Sequence, residues 1–454
     1  MIGFEFSDFF YPLDLVRTNV LLRCSEYWSR GRTEKYQARL LTRLLLFCIR
    51  EVPYYKKVFQ EVGLDADAIY PDNAMQCLKT LPVLDKDMLR EAPNLFISCS
   101  AKRFNPKPIQ TSGTTGTPLT VYWDRGSNVM EFCSIQRLWR WAGFRIGQCF
   151  LDLRSRGVFS DAEKNLRRAN GICYLRQWKI NGLEFSSDLI DESNVYQYYK
   201  VLLHFKPTLV RGHPQSIQHL ASLLRDKGLN EWKPLAVTTA SETLYDFQRR
   251  EIEEAWQVPV LDSYGLKEHN VFIAQCCEGG LHIFPEYGIC EILDDRGNPV
   301  QSGEEGWVIA TGLHNYAQVL LRYNTRDRAV AGSGRQCPCG RVLPIVERII
   351  GRIDDCIYSP EGRRYSGMHF AFFGRRGIKK ARLVQNDLTK VKVELVVTEQ
   401  FDTAEREELK KALRQKANDS ISFEFHIVDD IIQNTAGKFK FVISNLDQPE
   451  KRVH

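Results

Sequence analysis

TSGTTGTPL runs from Thr111 to Leu119. Its first five positions are all hydroxyl or glycine residues, a composition that helices disfavour and from which strands gain little. The apolar run LTVYW follows at once. Glycines let backbone N–H groups come close to a ligand, and Ser and Thr hydroxyls donate hydrogen bonds, so a loop of this kind can wrap an oxyanion. It is not a GxxxxGK[ST] loop, because no Lys-Ser/Thr pair follows Gly116. Taken alone, the stretch also fits an ordinary surface turn.

The surrounding composition narrows the choices. At 454 residues the chain is expected to form two or three domains, and 43% hydrophobic residues suffice for a sizeable interior. Lys plus Arg number 62 and Asp plus Glu 56, a net charge of +6. That mild balance permits an anionic small-molecule partner but lacks the concentrated basic face that nucleic acid needs. The N-terminus, with Asp8 and Asp14, has no basic start ahead of an apolar core, so no signal peptide is expected. No run of about 18 apolar residues exists, and no membrane span is expected. Thirteen cysteines without an export signal point to a reducing compartment, hence a cytoplasmic chain.

Apolar spacing predicts helices over 34–51, beginning after a Thr33 cap, over 193–205, and over 214–228, closed by Gly228. PTLVRG (207–212) and VPVLDSYG (258–265) read as short buried strands, and the alternation implies an α/β domain. From 281 the texture changes to strands and Gly-containing turns, LHIFPEYGICEILDD, EGWVIATGL and VLLRYNT, which predicts a β-rich subdomain over about 281–350. Beyond GRIDDCI (351–357) come two alternating strands, a charged helix over 403–419 and a further strand, a compact α+β module. The expected boundary falls at Asp354, giving domains 1–353 and 354–454.

Four further motifs follow the Thr111 stretch in order: SYGLKEH (263–269), LLRYNTRD (320–327), GRIDD (351–355) and NTAGKFK (434–440). With them the chain resembles the adenylate-forming superfamily of acyl-CoA synthetases, luciferases and peptide-synthetase adenylation domains. Within it the chain is most similar to the phenylacetate–CoA ligase group and its capsule-biosynthesis relatives, through VPYYKKVF (52–59), LPVLDKDMLRE (81–91) and CPCGRVLP (337–344). The resemblance implies a large multi-layer N-terminal domain and a small, mobile C-terminal one. One departure stands out: Asn324 and Arg326 occupy positions where the family shows Arg and Gly before the Asp. The loop cannot turn through a glycine there, and an altered local shape is expected.

The implied reaction joins a small carboxylic acid to ATP, releases pyrophosphate and leaves an acyl-adenylate. Charge must be neutralised on the entering and leaving sides, so preorganised donors and cations are the main catalytic resource. Thr111, Ser112, Gly113, Thr114, Thr115 and Gly116 would grip the phosphates. The resemblance assigns Mg²⁺ to Glu268, a hard cation on an oxygen ligand. Tyr264 would lie against the adenine or near the α-phosphate, and the acid pocket would involve 236–246 together with Tyr264. Asp327 would accept from the ribose hydroxyls, although Arg322, Arg326 and Arg328 beside it are equally natural partners. Lys438 would bridge α-phosphate and carboxylate in the first half-reaction, and Asp354 would be the pivot on which the small domain turns between steps. The acceptor is coenzyme A or an amine.

Cysteine pairs at 276–277 and at 337 and 339, with His282 nearby, supply donors suited to tetrahedral structural zinc. The expected set is Cys277, His282, Cys337 and Cys339, with Cys276 as the rival first ligand. Three readings therefore stand: an acyl-CoA ligase, an amide-forming ligase using the same adenylate, and a zinc-stabilised binding module whose Gly/Thr loop is only a turn.

Overall fold

The computed structural model describes residues 12–110, 119–154, 174–177, 180–352, 356–360, 364–365, 368–372, 375–417, 420–431 and 441–446. The chain divides into two compact units, Met1–Gly143 with Leu261–Ile349, and Phe144–Val260 with Ile350–His454. Among the described residues, no helix is long and apolar enough to cross a membrane.

The first unit opens with helices Pro12–Ser25, Arg30–Glu51, Pro53–Glu61, Ala74–Thr80 and Lys86–Glu91. The helix expected over 34–51 begins four residues earlier, because Ser29, not Thr33, is its cap. Ser29 sits in extended backbone and its hydroxyl accepts the Arg32 N–H, which places Thr33 inside the first turn. Leu41, Leu44, Leu45, Cys48, Tyr55, Phe59 and Leu78 form one core with Phe96, Val319 and Tyr323. A hairpin of Lys107–Gln110 and Thr120–Trp123 leads into helix Arg125–Trp141. The sheet of this unit runs, in spatial order, Gly288–Leu293, Glu305–Gly312, Tyr323–Ala331, Ile345–Arg352, Leu281–Ile283, Phe272–Gln275 and Val260–Gly265. Of the expected strand VLLRYNT only the end is strand. Val319 and Arg322 instead bond the helical segment, Val319 N–H to the Phe96 carbonyl and Leu84 N–H to the Arg322 carbonyl.

In the second unit, parallel strands Ala236–Thr239, Leu209–Gly212, Phe150–Arg154 and Gly182–Ser186 lie side by side, with Tyr174–Gln177 antiparallel at the edge. Helices Val195–Phe205 and Pro214–Asp226 accompany them where the apolar spacing predicts helices, and Asp246–Trp256 adds one that was not predicted. Leu151, Val210, Val237, Ile217 and Ile252 share its core. The C-terminal module is a sheet ordered Ser422–Ile427, Lys390–Val397, Ile378–Asp387, Val442–Ser444, with helix Thr403–Lys416. Leu409 and Leu413 of that helix pack on Leu383, Val393 and Leu395, and Tyr245 and Phe247 join the same core. The mixed α/β architecture, with a large N-terminal part and a separate C-terminal module, is the one expected.

Candidate functional site

Glu268 and Asp327, the two carboxylates singled out by sequence, are both buried in the first unit. Asp327 owes its placement to an irregularity in pairing. Trp307 pairs with Arg328 and Ile309 with Asn324, so Thr325, Arg326 and Asp327 stand opposite Val308 alone. Such a bulge bends the strand and re-aims its side chains. Thr325 closes it, donating to the Val308 carbonyl at 2.9 Å and accepting the Asp327 N–H at 3.1 Å. The turn that a glycine would make is made by Arg326, which holds φ +62°. Asn324 Oδ1 accepts the Arg326 N–H at 2.9 Å, and the guanidinium contacts Asp85 and Asp87. Arginine thus keeps the turn at the cost of left-handed backbone, with its side chain tied down.

The arginine alternatives for Asp327 have other carboxylates. Arg322 pairs with Glu291 at 3.2 Å, Arg326 with Asp85 and Asp87, and Arg328 with Glu305 at 2.5 Å. Asp327 instead receives the Tyr264 hydroxyl at 2.7 Å. Burial, and then the Asp327 charge, push the Tyr264 phenol well above its ordinary value. Two expected nucleotide contacts are therefore joined by one hydrogen bond.

Glu268 is held by two groups that sequence reasoning missed. Its Oε1 accepts the Tyr323 hydroxyl at 2.8 Å and the Lys86 ammonium at 3.3 Å, while Oε2 has no bond among the described residues. The signal was present in LPVLDKDMLRE: Leu84 bridges to Tyr323, and Asn324 N–H donates to the Leu84 carbonyl at 2.8 Å, which sets Lys86 beside the strand. A buried carboxylate with one oxygen anchored and the other open suits a hard cation such as Mg²⁺.

The ends of the Thr111 stretch are fixed to the same loop. Gln110 pairs with Thr120, Lys267 Nζ donates to the Gln110 carbonyl at 2.7 Å, and Trp123 Nε1 donates to the Lys267 carbonyl. His269 stacks on Trp123 with centroids 4.2 Å apart at 16°. Burial drives its pKa down to about 3, so the ring is neutral. Residues Thr111 to Gly116, Asp354 and Lys438 lie outside the described residues.

The cysteine cluster forms with one change of member. Cys276, His282, Cys337 and Cys339 bring their donor atoms within 4.8 Å of one another. Cys277, the expected first ligand, is exposed and points its thiol at the Trp141 carbonyl, 3.1 Å away. Register explains the exchange. Ala274 pairs with His282, so Cys276, two residues on, shares the His282 face and Cys277 takes the other. Cys276 and Cys337 sulfurs are 3.6 Å apart, and Cys339 Sγ lies 3.3 Å from His282 Nε2. Zn–S bonds of about 2.3 Å place tetrahedral sulfurs about 3.8 Å apart, so the donor set fits zinc. His282 Nδ1 faces the Leu343 carbonyl at 3.4 Å, an outer bond that leaves Nε2 for the metal. Gly280 makes the cradle: a Cβ there would sit 2.8 Å from Cys337 Sγ and 3.3 Å from His282 Nε2. Burial alone would raise the Cys339 thiol, but the Arg341 N–H and guanidinium, with Cys337 and Cys276, bring it below its ordinary value.

Comparison with known proteins bears out the resemblance read from the motifs. The CapK C-terminal domain family matches residues 357–445. Protein CapK of Staphylococcus aureus is 24% identical over 398 residues, covering 87% of this chain and 85% of that protein. A phenylacetate-coenzyme A ligase of Thermus thermophilus is 24% identical over 343 residues, 73% of each chain. The crystal structure of 2-hydroxyisobutyryl-CoA ligase in the postadenylation state, in complex with R3-HIB-AMP, matches with a TM-score of 0.71 at 18% identity, covering 93% of this chain and 91% of that one. At that identity the likeness is one of fold.

Proposed function

We propose that this chain is an AMP-forming, ATP-dependent ligase that activates a small carboxylic acid as its acyl-adenylate and passes the acyl group to coenzyme A. The observation that carries the reading is the Tyr264–Asp327 pair at 2.7 Å on a bulged strand, beside a Glu268 carboxylate with one open oxygen. Similarity to phenylacetate–CoA ligases and the fold shared with an acyl-CoA ligase support it. In this scheme Asp327 accepts from the ribose hydroxyls while Tyr264 orients its carboxylate. Glu268 holds Mg²⁺ through its open oxygen, with Tyr323 and Lys86 fixing the other; the ion would neutralise phosphate charge. Thr111, Ser112, Gly113, Thr114, Thr115 and Gly116 grip the phosphates, and Lys267 and Trp123 hold the ends of that stretch. Cys276, His282, Cys337 and Cys339 bind one structural zinc.

Lys438 places its ammonium on the charge that develops as the acid attacks the α-phosphate. The small domain, residues 354–454, then turns about Asp354 and takes Lys438 away. Tyr245 and Phe247 pack in the core of that domain, so the rotation exchanges their contacts. The chain works in the cytoplasm, in keeping with its thirteen cysteines.

An amine acceptor is the second reading. The same acyl-adenylate would serve an amine nucleophile as readily as a thiol. Pyrophosphate exchange over a panel of carboxylic acids, with AMP release measured with and without coenzyme A, tests both. No acid-dependent exchange would refute the ligase; AMP release stimulated by amines but not coenzyme A would select the second reading.

A further inference from the structure

Around the Cys/His cluster lies a buried network of charge that the proposed reaction does not use. Glu26, Arg137 and Glu286 are each 1% exposed. Arg137 holds Glu286 with both terminal nitrogens, at 2.9 and 3.3 Å, and its Nε is 3.6 Å from Glu26. Arg140 also contacts Glu26. Arg341 donates from Nε to the other Glu26 oxygen at 3.1 Å, and its guanidinium bonds Cys339. The Arg341 Cζ lies 4.3 Å from the Trp141 ring centroid, and the Trp141 and His282 rings meet edge to face with centroids 5.6 Å apart. Backbone joins the two sides as well, since the Val342 N–H donates to the Glu26 carbonyl at 2.9 Å.

Glu26 and Glu286 balance Arg137 and Arg341 inside the network, while the Arg140 side chain is 34% exposed and screened by solvent. Buried charge is costly unless balanced. A divalent ion on three thiolates and a neutral imidazole carries one negative charge, and Arg341 touches both groups. Arg341 therefore divides its charge between Glu26 and the cluster, so that gain or loss of the metal changes the balance at Glu26.

Glu26 directly follows helix Pro12–Ser25, which lies along helix Arg125–Trp141. Among the described residues, Leu22 is its one fully buried apolar side chain and Leu15 and Leu21 are half-buried, while Leu13, Val16 and Val20 are 70, 59 and 55% exposed. Its polar ties are Asn19 to Gln136 at 2.9 Å and to Cys133 Sγ at 3.3 Å, the Cys133 thiol to the Leu15 carbonyl, Asp14 to Arg125, and the Leu22 carbonyl and Ser25 hydroxyl to Arg137. With one apolar side chain fully buried, the helix relies in large part on polar ties, and its last turn is held by Arg137 of the network at its end.

We infer that metal binding at Cys276, His282, Cys337 and Cys339 and docking of the N-terminal helix are one coupled event, transmitted by Arg341 and Glu26. The inference rests on the zinc reading and extends it to residues outside the ligand set. Hydrogen exchange of the intact protein, zinc-loaded and after chelation, tests it without any substitution. Exchange over residues 12–26 should speed at least tenfold on zinc removal. In the reverse direction, Glu26→Gln should weaken zinc about tenfold in competition with a chromogenic chelator, and Arg341→Lys, which keeps the charge but loses the fork, should do likewise. Wild-type protein without zinc would remove the zinc reading and this inference with it. Zinc-containing protein whose helix exchanges identically before and after chelation, or whose Glu26→Gln variant binds zinc as tightly, would overturn the coupling alone.

Discussion

Replacing Arg326 separates two opposed forces on one residue. A φ of +62° costs a residue with a Cβ about 1–2 kcal/mol relative to glycine. Set against this are its ion pairs with Asp85 at 2.6 Å and Asp87 at 2.5 Å, between partly exposed side chains. Pairs of that exposure are worth about 0.2–1 kcal/mol each. Arg326→Ala keeps the backbone cost and loses both pairs, so stability should fall by about 1 kcal/mol. Arg326→Gly loses the same pairs but sheds the strain, less about 0.5 kcal/mol for the freer unfolded chain. The glycine variant should therefore lie close to wild type and about 1 kcal/mol above the alanine variant. Urea unfolding of the three proteins side by side, followed by tryptophan fluorescence, measures the order. An alanine variant as stable as the glycine one would refute the reasoning, since Arg326 would then bear no backbone strain.

Tyr264→Phe removes the 2.7 Å hydrogen bond to Asp327 and should lower kcat/KM for ATP about tenfold, alongside a stability loss of about 1–2 kcal/mol, the effect expected for one bond to a buried charged group; unaltered ATP kinetics would separate the pair from nucleotide binding. Gly280→Ala drives a methyl against Cys337 Sγ and His282 Nε2, and metal analysis should find zinc content sharply reduced; a full complement of zinc would contradict that geometry. His314 donates to the Glu286 carbonyl at 2.7 Å, and burial holds its pKa below the ordinary 6.5. The unfolded chain then takes up the proton first, so this contribution to stability is present above pH 6.5 and lost as pH falls below it. His314→Gln should flatten the dependence of the urea midpoint between about pH 7 and 5, and an unchanged slope would exclude His314 from it.

Much of this architecture is legible because local periodicity and burial agree: the helices Val195–Phe205 and Pro214–Asp226 and the strands around them form where the pattern places them. What was not legible depends on register and on distant partners. Cys276 and Cys277 are chemically identical candidates, and only the pairing of Ala274 with His282 distinguishes their faces. Thr33 looks like a cap until Ser29 is seen in extended backbone. Lys86 is an unremarkable lysine in the sequence. Its bond to a glutamate 182 positions away exists because Leu84 pairs beside Tyr323. The departure at Arg326 was visible, but not that Asp85 and Asp87 would hold the arginine in a glycine's conformation.

Lys267 has a consequence for anyone who would redesign this protein by exchanging parts. Its ammonium is bonded to Gln110 before the Thr111 stretch, and its carbonyl receives Trp123 after it. A loop cassette cut at 110 and 123 and grafted from a relative would thus arrive without the residue that clasps its two ends. Substitutions in the cassette and at Lys267 should be strongly non-additive, because each changes the frame in which the other is judged. The transplantable unit is two segments separated by about 150 residues of sequence, and shuffling libraries that break the chain between them will mostly recover loops that have lost their grip.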